Sequence, residues 1–338
     1  MRAAYVSVPF RTEIRDIPEP VIGPNEVLVK VGACGVCGTD LHNARDFAKT
    51  TPEPLGHECW GTVEKLGPGV TGAKIGDRVI VENHTALARS AQAKNGNLVD
   101  STDLYITMDR QACMAERVRT HVMALHDAGG LDSSAAAIAE PLTVALDLVE
   151  SSDIGLGSTV AIFGAGPIGL MVLALVKAKG VSKAVITQPS HSTARIALAR
   201  KLGADRVIMP DREDVVAALK AECPSGFDRV LVTAPPAAIP LAFEVVRFGA
   251  IVTFNGISFA SSTISFDANA FHFKRLQLRA THSIPNLRFP MAISLLERRV
   301  IDARDFVTHT FPLSRVQEAL TVAEEDKTHV IKVVVEID

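Results

Sequence analysis

The first part of the chain carries short runs that are rich in β-forming residues, each ended by turn residues such as Gly23-Pro24-Asn25. This pattern is typical of short strands joined by tight turns. The runs are Arg2 to Val8, Glu13 to Asp16, Glu26 to Val31, Cys59 to Leu66 and Arg78 to Glu82. They predict a mainly β, antiparallel and barrel-like domain.

A polar segment from Asn83 to Gln111 interrupts these strands. It contains Asn95-Gly96-Asn97 and shows no clear period, which indicates a long surface excursion. Long connections of this kind are usually functional or mobile.

From about Ser133 the pattern changes to alternating apolar strands and helices. The predicted strands of this pattern are Thr159 to Phe163, Lys183 to Thr187, Arg206 to Met209, Asp228 to Thr233 and Ala250 to Asn255, and the chain closes with a further strand, His329 to Glu336. The predicted helices are Ser134 to Leu148, an apolar helix that ends at Lys179, Ala194 to Leu202, Glu213 to Glu222, Ile239 to Arg247 and Pro290 to Glu297. Strands that alternate with helices predict an α/β fold with a doubly wound parallel sheet.

The chain of 338 residues is long enough for two domains. We predict that residues 1–148 and 285–338 form the mainly β domain, and that residues 149–284 form the α/β domain.

Composition limits the classes of partner. The net charge is −3 and the basic residues are scattered, so the sequence does not predict a nucleic-acid partner. No signal peptide is recognisable, and no apolar run reaches the roughly 18 residues of a membrane helix. The five cysteines are odd in number and irregularly spaced, which favours reduced thiols over a disulfide framework. We therefore expect a cytoplasmic protein without a membrane partner.

A glycine-rich turn follows the apolar strand that ends at Phe163. In Gly164-Ala-Gly166-Pro167-Ile168-Gly169 the first glycine allows a tight turn, the second allows a pyrophosphate to approach, and the third allows close helix packing. The helix N-terminus supplies free N–H groups for phosphate. The motif lies between a strand and a helix, so it predicts a dinucleotide site.

The end of the next strand bears on the choice between NAD and NADP. An acidic residue is expected there, but the strand ends in Gln188, and Ser190 follows without a carboxylate. His191 and Arg195 are candidates to face a 2′-phosphate, although Arg195 is equally compatible with a solvated helix residue. Thr233, at the end of a later strand, is a further candidate cofactor contact. The sequence leaves NAD and NADP open.

Two short segments carry candidate metal ligands. Cys37 lies in one of them, and His57 and Glu58 are adjacent in the other. Thiolate, imidazole and carboxylate together suit tetrahedral zinc. Each residue alone is weak evidence, because single cysteines and histidines are usually packed or hydrogen-bonded, but their combination ahead of a dinucleotide fold is strong.

These motifs resemble the zinc-dependent medium-chain dehydrogenase/reductase family over nearly the whole chain. The resemblance rests on Cys37-Gly-Thr-Asp-Leu-His42, Gly56-His-Glu-x-x-Gly61-x-Val63 and the glycine-rich turn, and extends to Phe311-Pro312-Leu313. Glu140-Pro141-Leu142 is similar to the polyol (sorbitol-type) and threonine dehydrogenase branch. The resemblance implies a GroES-like catalytic domain and a Rossmann domain.

The same resemblance implies roles for individual residues. Cys37 and His57 would bind zinc, and Glu58 would be a ligand or a near-ligand that exchanges with water. Glu140 would occupy the fourth position, binding zinc directly or holding its water.

Proton transfer falls to two further residues in this resemblance. Thr39 would take the alcohol proton, and His42 would pass it through the cofactor ribose to solvent. Asp40 would orient His57 from behind. Helix capping is an alternative role for Thr39 and Asp40, and the two roles are compatible.

One departure concerns a second, structural zinc that the family often carries on four cysteines. The corresponding segment from Asn83 to Gln111 contains no cysteine, so we predict one catalytic zinc per chain and no structural zinc. Cys34-Gly-Val-Cys37 also resembles a redox motif, but its context favours the zinc interpretation.

The predicted function is hydride transfer between a nicotinamide cofactor and a secondary alcohol or ketone. A carboxylate near the zinc and few aromatic residues favour a hydroxylated substrate: a polyol, sugar or cyclitol. Trp60, His282, Ser283 and Arg288 are candidate pocket residues, with packing the favoured role for Trp60.

Other functions remain as alternatives. A threonine dehydrogenase-like or simple alcohol dehydrogenase comes first, and a zinc-free reductase or a non-enzymatic binding protein on the same fold is more distant. Family analogy alone suggests a homo-oligomer, either a dimer or a tetramer.

Overall fold

The computed structural model describes residues 1–47, 52–87, 104–106, 112–258, 261–283 and 288–337. The chain divides into two compact units. The first comprises Met1–Thr143, Ser283–Asp326 and Lys332–Asp338, and the second comprises Val144–His282 and Lys327–Ile331. The second unit thus takes in a short segment close to the C-terminus, which the sequence had assigned to the first.

The first unit is built from short strands. In chain order they are β1 Arg2–Ser7, β2 Arg11–Asp16, β3 Glu26–Gly35, β4 Glu53–Pro54, β5 Glu58–Leu66, β6 Arg78–Val81, β7 His84–Ala86, β8 Leu104–Ile106, β9 Arg117–His121, β10 Leu125–Asp127, β17 Val307–Pro312 and β18 Lys332–Glu336. The main sheet has the order β10-β6-β5-β3-β18-β17, and β9 also pairs with β3. Smaller sheets have the orders β2-β1-β4 and β7-β8.

Strand pairing in this unit is antiparallel, as predicted, with one exception among the described residues: β17 runs parallel to β18. The pair β7 and β8 falls within the segment that the sequence assigned to a surface excursion. Most of that segment lies outside the described residues.

The second unit contains the predicted parallel sheet, which is confirmed. Its strands are β11 Thr159–Phe163, β12 Lys183–Thr187, β13 Arg206–Ile208, β14 Phe227–Val232, β15 Val246–Phe254 and β16 Gln277–Ala280. Their order, β13-β12-β11-β14-β15-β16, reverses direction beside β11, as in a doubly wound fold. Fully buried aliphatic and aromatic side chains, among them Phe227 and Val230, form the core on one face of the sheet.

Helices connect and flank the strands of both units. They are α1 Gly38–His42, α2 Ser133–Ala137, α3 Ala139–Glu150, α4 Pro167–Ala178, α5 Thr193–Lys201, α6 Val215–Glu222, α7 Ile239–Glu244, α8 Ala268–Phe273, α9 Phe289–Glu297, α10 Ala303–Phe306 and α11 Val316–Glu325. In the described part of the chain, no helix has the length and apolarity to cross a bilayer.

Two predicted helices differ from the observed ones. The helix expected from Ser134 to Leu148 is divided at Ile138, where φ is −102° and ψ is 5°. Pro141 explains the division, because proline lacks an N–H and its ring clashes with the carbonyl four residues earlier in a continuous helix. The helix expected from Ile239 to Arg247 ends at Glu244, and β15 begins two residues later.

Candidate metal centre and cofactor turn

Three candidate ligands converge in the first unit. Cys37 follows β3 and precedes α1, while His57 directly precedes β5 and Glu58 is the first residue of that strand. Strand pairing places Gly35 opposite Glu58, which brings the two segments together. One donor atom from each of Cys37, His57 and Glu58 lies within 4.8 Å of the others. The thiolate, imidazole and carboxylate that the sequence singled out therefore form one cluster.

Asp40 ties the two ligand-bearing segments to each other. One carboxylate oxygen accepts a hydrogen bond from the Cys37 N–H at 2.8 Å, and the other accepts one from the Gly56 N–H at 3.2 Å. The first bond caps α1 and the second fixes the residue that precedes His57. The capping role and the support of the metal centre thus belong to the same side chain.

His57 is buried between Asp40 and Cys37. Its Nδ1 lies 3.7 Å from Asp40 Oδ1, longer than a hydrogen bond, and has no hydrogen-bond partner among the described residues. Burial lowers the pKa of His57, but Cys37 and Asp40 outweigh it and raise that pKa well above its usual value. The negative groups around the imidazole therefore favour a cation at this position.

Glu140 approaches the cluster from the first turn of α3 and is buried. Its Oε1 accepts a hydrogen bond from Asn83 Nδ2 at 3.4 Å. Burial raises the pKa of Glu140 to about 7, with Glu58 acting in the same direction and His57 opposing it. Asn83 also has a buried Oδ1 without a hydrogen-bond partner among the described residues. The sequence analysis missed Asn83, which it assigned to the polar excursion.

Lys332 is a second residue that the sequence analysis missed. Its side chain is only 4% exposed, donates a hydrogen bond to the Val36 carbonyl at 2.9 Å and forms an ion pair with Glu58 Oε2. The pair is a close electrostatic contact rather than a well-directed hydrogen bond. Burial lowers the pKa of Lys332, but Glu58 and Cys37 outweigh it, so the pKa is raised and the ammonium is retained.

The cluster has the chemistry of a cation site. Three carboxylates, Asp40, Glu58 and Glu140, are each less than a tenth exposed, and Lys332 is the ammonium buried with them. Buried charges are stable only when they are paired or when they coordinate a metal. Sulfur, nitrogen and oxygen donors within 4.8 Å satisfy zinc's preferences, so these residues fit a bound Zn²⁺.

Thr39 and His42 lie on α1, beside the cluster. The Cys37 thiol lies 3.8 Å from Thr39 Oγ1. His42 Nδ1 lies 2.8 Å from Nη2 of Arg45, whose Nη1 bonds Glu324 at 2.7 Å. Because a guanidinium can only donate, Nδ1 accepts, and a neutral His42 carries its proton on Nε2.

The candidate pocket residues have different surroundings. Trp60 donates from Nε1 to Ser133 Oγ at 3.1 Å and packs against Ala33, which agrees with the packing role favoured for it. His282 is exposed, and Arg288 immediately precedes α9.

In the second unit, the glycine-rich turn has the geometry of a phosphate site. Gly164 has a φ of 100°, which only glycine adopts readily. A Cβ on Gly166, the N-cap of α4, would meet no atom within 4 Å, so the backbone is open to a ligand. A Cβ on Gly169 would overlap the Gly164 carbonyl oxygen, so only glycine lets α4 pack this closely. Pro167 and Ile168 form the first turn of that helix.

Neighbouring side chains hold the turn in place. The Gly164 N–H donates to Thr187 Oγ1 at 3.1 Å, and the Ala165 N–H donates to Gln188 Oε1 at 3.0 Å. Thr233 Oγ1 donates to the Gly164 carbonyl at 3.0 Å. Gln188 and Thr233 therefore support the turn, in addition to lining the adjoining cavity.

The cavity beside the turn has a volume of about 520 Å³. Basic side chains of His191, Arg195 and Lys327 line it, and no acidic residue is among the described residues of its wall. Arg195 Nε donates to the Val330 carbonyl at 3.0 Å, so this side chain is anchored rather than freely solvated.

Ser190 lies next to this cavity and bonds Asp211. Its N–H donates to Asp211 Oδ1 at 2.8 Å, and its hydroxyl contacts Oδ2. The Asp211 carboxylate is thus already engaged by Ser190.

Comparison with known proteins agrees with this architecture. The alcohol dehydrogenase GroES-like domain model matches residues 23–128, and the zinc-binding dehydrogenase model matches residues 167–298. An L-threonine 3-dehydrogenase of Caldanaerobacter subterraneus subsp. tengcongensis is 32% identical over 313 residues, 89% of each chain. A sorbitol dehydrogenase of Bacillus subtilis is 30% identical over 347 residues, covering 99% of this chain and 97% of that one. The solved structure of an alcohol dehydrogenase from Thermus sp. ATN1 is 25% identical and covers 100% of both chains with a TM-score of 0.92. The chain therefore belongs to the GroES-like, zinc-binding alcohol dehydrogenase family of oxidoreductases, which act on CH–OH groups.

Proposed function

We propose that this chain uses one zinc ion and NADP to interconvert a polyol, sugar or cyclitol and the corresponding ketone. The observation that carries the proposal is the cluster of half-buried Cys37 with buried His57 and Glu58, and with buried Glu140 beside it. When bound, zinc supplies Lewis-acid polarisation of the substrate oxygen, which lowers the pKa of the alcohol.

The chain's own residues divide the remaining work. Cys37 and His57 would hold the metal, and Glu58 and Glu140 would offer carboxylate oxygens to it or to its water, which leaves room for the substrate oxygen. Thr39 accepts the substrate proton beside Cys37. His42, whose Nδ1 accepts from Arg45, presents its Nε2–H as a donor in this proton relay.

A hydroxylated substrate is supported by the polarity around Glu140. Asn83 Oδ1 is buried and lacks a donor among the described residues. An unpaired buried acceptor costs about 1–3 kcal/mol, and a substrate hydroxyl that donates to it would recover this energy. We assign Asn83 to the recognition of a second hydroxyl, next to the one that is oxidised.

The preference for NADP is supported by the charge of the cavity beside the glycine-rich turn. His191, Arg195 and Lys327 line it, and Gln188 stands where NAD-binding folds usually carry an acid. A 2′-phosphate gains from nearby cations, whereas a carboxylate at this position would repel it.

The first experiment measures zinc per chain by elemental analysis, together with turnover at 340 nm. Substrates are a panel of polyols and cyclitols against simple secondary alcohols, each with NAD and NADP. We expect one zinc per chain and higher kcat/KM for the hydroxylated substrates. A chain that binds no zinc, and gains no activity when zinc is added, would contradict the proposal.

Asn83 offers a test of the substrate class. In Asn83→Ala we expect kcat/KM to fall about tenfold for a polyol, corresponding to one lost hydrogen bond, and little for a simple secondary alcohol. An equal loss on both substrates would mean that Asn83 does not recognise a second hydroxyl.

Cofactor choice is tested by binding. We expect NADPH to bind at a lower concentration than NADH when each cofactor is titrated into the protein and binding is followed by fluorescence. Lys327→Ala and His191→Ala are expected to weaken NADPH binding about tenfold each and to leave NADH binding nearly unchanged. Tighter binding of NADH by the unaltered chain would reverse the assignment.

A further inference from the structure

The buried ion pair of Lys332 and Glu58 is more than a support for the sheet. Strand register places Gly35 opposite Glu58 on β5 and opposite Val334 on β18. Residues two apart in a strand share a face, so Lys332 projects on the same face as Val334. Lys332 therefore reaches Glu58 across the backbone of Gly35.

Gly35 leaves the space for this contact. A Cβ at this position would overlap Glu58 Oε2 and lie 3.1 Å from Lys332 Cε. The Ala137 carbonyl oxygen would be 3.2 Å from the same Cβ, so the passage is narrow. Any side chain larger than hydrogen would push the carboxylate and the ammonium apart.

Glu58 therefore lies between the Lys332 ammonium and the proposed metal position. Its carboxylate contributes an oxygen to the cluster with Cys37 and His57, and its Oε2 contacts the Lys332 ammonium. The side chain is about 1% exposed, so water does not compete effectively for it. A carboxylate buried this deeply requires a cation in either arrangement.

We propose that Lys332 is a positioning residue that provides the alternative partner for Glu58 and so allows this carboxylate to leave the metal. With the ammonium present, Lys332 and a bound metal would compete for the Glu58 carboxylate. Without it, a bound metal would be the remaining cation and would retain Glu58 as a ligand. The inference rests on the proposed zinc centre and adds a residue that controls its coordination.

The principal variant is Lys332→Met, which keeps the length and loses the charge. Removing a cation beside the metal raises metal affinity, and a permanently bound Glu58 raises it further. We expect zinc to bind at least tenfold more tightly in competition with a chromophoric chelator. We also expect the visible ligand-field bands of the Co²⁺-substituted protein to shift, and kcat to fall more than KM changes.

The double variant Lys332→Met/Glu58→Gln tests whether Lys332 changes zinc affinity through Glu58. If Lys332 acts through Glu58, the tighter zinc binding is largely lost when Glu58 no longer carries a charge. Lys332→Arg, which keeps the charge, is expected to retain the zinc affinity of the unaltered protein. Lys183→Met removes a Lys–Glu ion pair in the second unit and serves as the matched control with unchanged zinc affinity.

Lys332→Gln guards against a folding defect, because its amide can still donate to the Val36 carbonyl. It is expected to show the same direction of change as Lys332→Met. Equal zinc affinity and equal Co²⁺ spectra in the unaltered and neutralised proteins would overturn the inference. So would an effect that persists in full in the Glu58→Gln background. An unaltered protein that binds no zinc would instead contradict the proposed function itself.

Discussion

Asp40→Asn tests whether one carboxylate organises the metal centre. The substitution keeps the shape of the side chain but replaces one acceptor oxygen with an NH₂ group. Asp40 accepts from the Cys37 N–H at 2.8 Å and from the Gly56 N–H at 3.2 Å, and it is 2% exposed. An asparagine can satisfy one of these donors and must turn its own donor towards the other. The lost charge-assisted bond and the stranded N–H together predict a loss of about 2–4 kcal/mol in the free energy of unfolding.

Metal affinity is the more specific measurement. Because the Gly56 bond fixes the backbone before His57, we expect zinc to bind about 10–100-fold more weakly, as measured by chelator competition. Urea unfolding of the same samples gives the stability change. Asp214→Asn is the matched control: Asp214 caps α6 in the second unit with one bond to the Ala217 N–H, at 2.7 Å. Asparagine caps about as well as aspartate, so this variant keeps both stability and zinc affinity. An Asp40→Asn protein with unchanged zinc affinity would refute the reasoning.

Three further predictions concern the second unit. In Gly169→Ala, the new Cβ overlaps the Gly164 carbonyl oxygen. We therefore expect a lower Tm and at least tenfold weaker binding of the nicotinamide cofactor, measured by fluorescence titration. Undiminished cofactor binding would contradict the packing argument. Phe227→Ala leaves a cavity at a fully buried position, so we expect the free energy of unfolding, measured in urea, to fall by about 3–5 kcal/mol. A loss under 1 kcal/mol would mean that the surrounding core fills the cavity. Burial raises the pKa of Asp228, but bonds from Thr159 and Arg247 outweigh it and lower that pKa below its usual value. Its stabilisation is therefore present above the unfolded pKa of about 3.9 and is lost as pH falls through the folded pKa. We expect the stability difference between the unaltered protein and Asp228→Asn to shrink from pH 7 to pH 3, and a difference independent of pH would rule this out.

The parallel sheet was predictable because its strands are buried on both faces. The predicted strands Thr159 to Phe163 and Lys183 to Thr187 contain the apolar runs Val160–Phe163 and Ala184–Ile186, and the observed strands have the predicted bounds. Predicted element boundaries were wrong where the local helical pattern conflicts with long-range strand pairing. Val246 and Arg247 continue a helical pattern, yet pairing with β14 draws them into a strand.

The metal centre was predictable as far as its residues lie in short local motifs. Cys37 and Asp40 are three residues apart, so a capped turn brings them together wherever the chain folds. His57 and Glu58 are adjacent, and thiolate, imidazole and carboxylate are recognisable as zinc donors. Asn83 was not predictable, because it begins a polar segment whose pattern resembles an ordinary loop.

The sequence around Lys332 does indicate that this lysine is buried beside an anion. It lies within Val330-Ile331-Lys332-Val333-Val334-Val335, a run in which all the remaining residues are aliphatic. A strand with apolar residues on both faces is buried on both faces, and lysine is almost never fully buried without a partner. Such a lysine therefore requires a buried anion on a neighbouring strand, close to a position without a side chain. Gly35 on β3 is such a position, and Glu58 is the anion beside it. A lysine in an otherwise apolar strand thus indicates the end of the sheet where the buried carboxylates lie. This indication comes from the C-terminal part of the chain, whereas the ligand motifs lie in its N-terminal part.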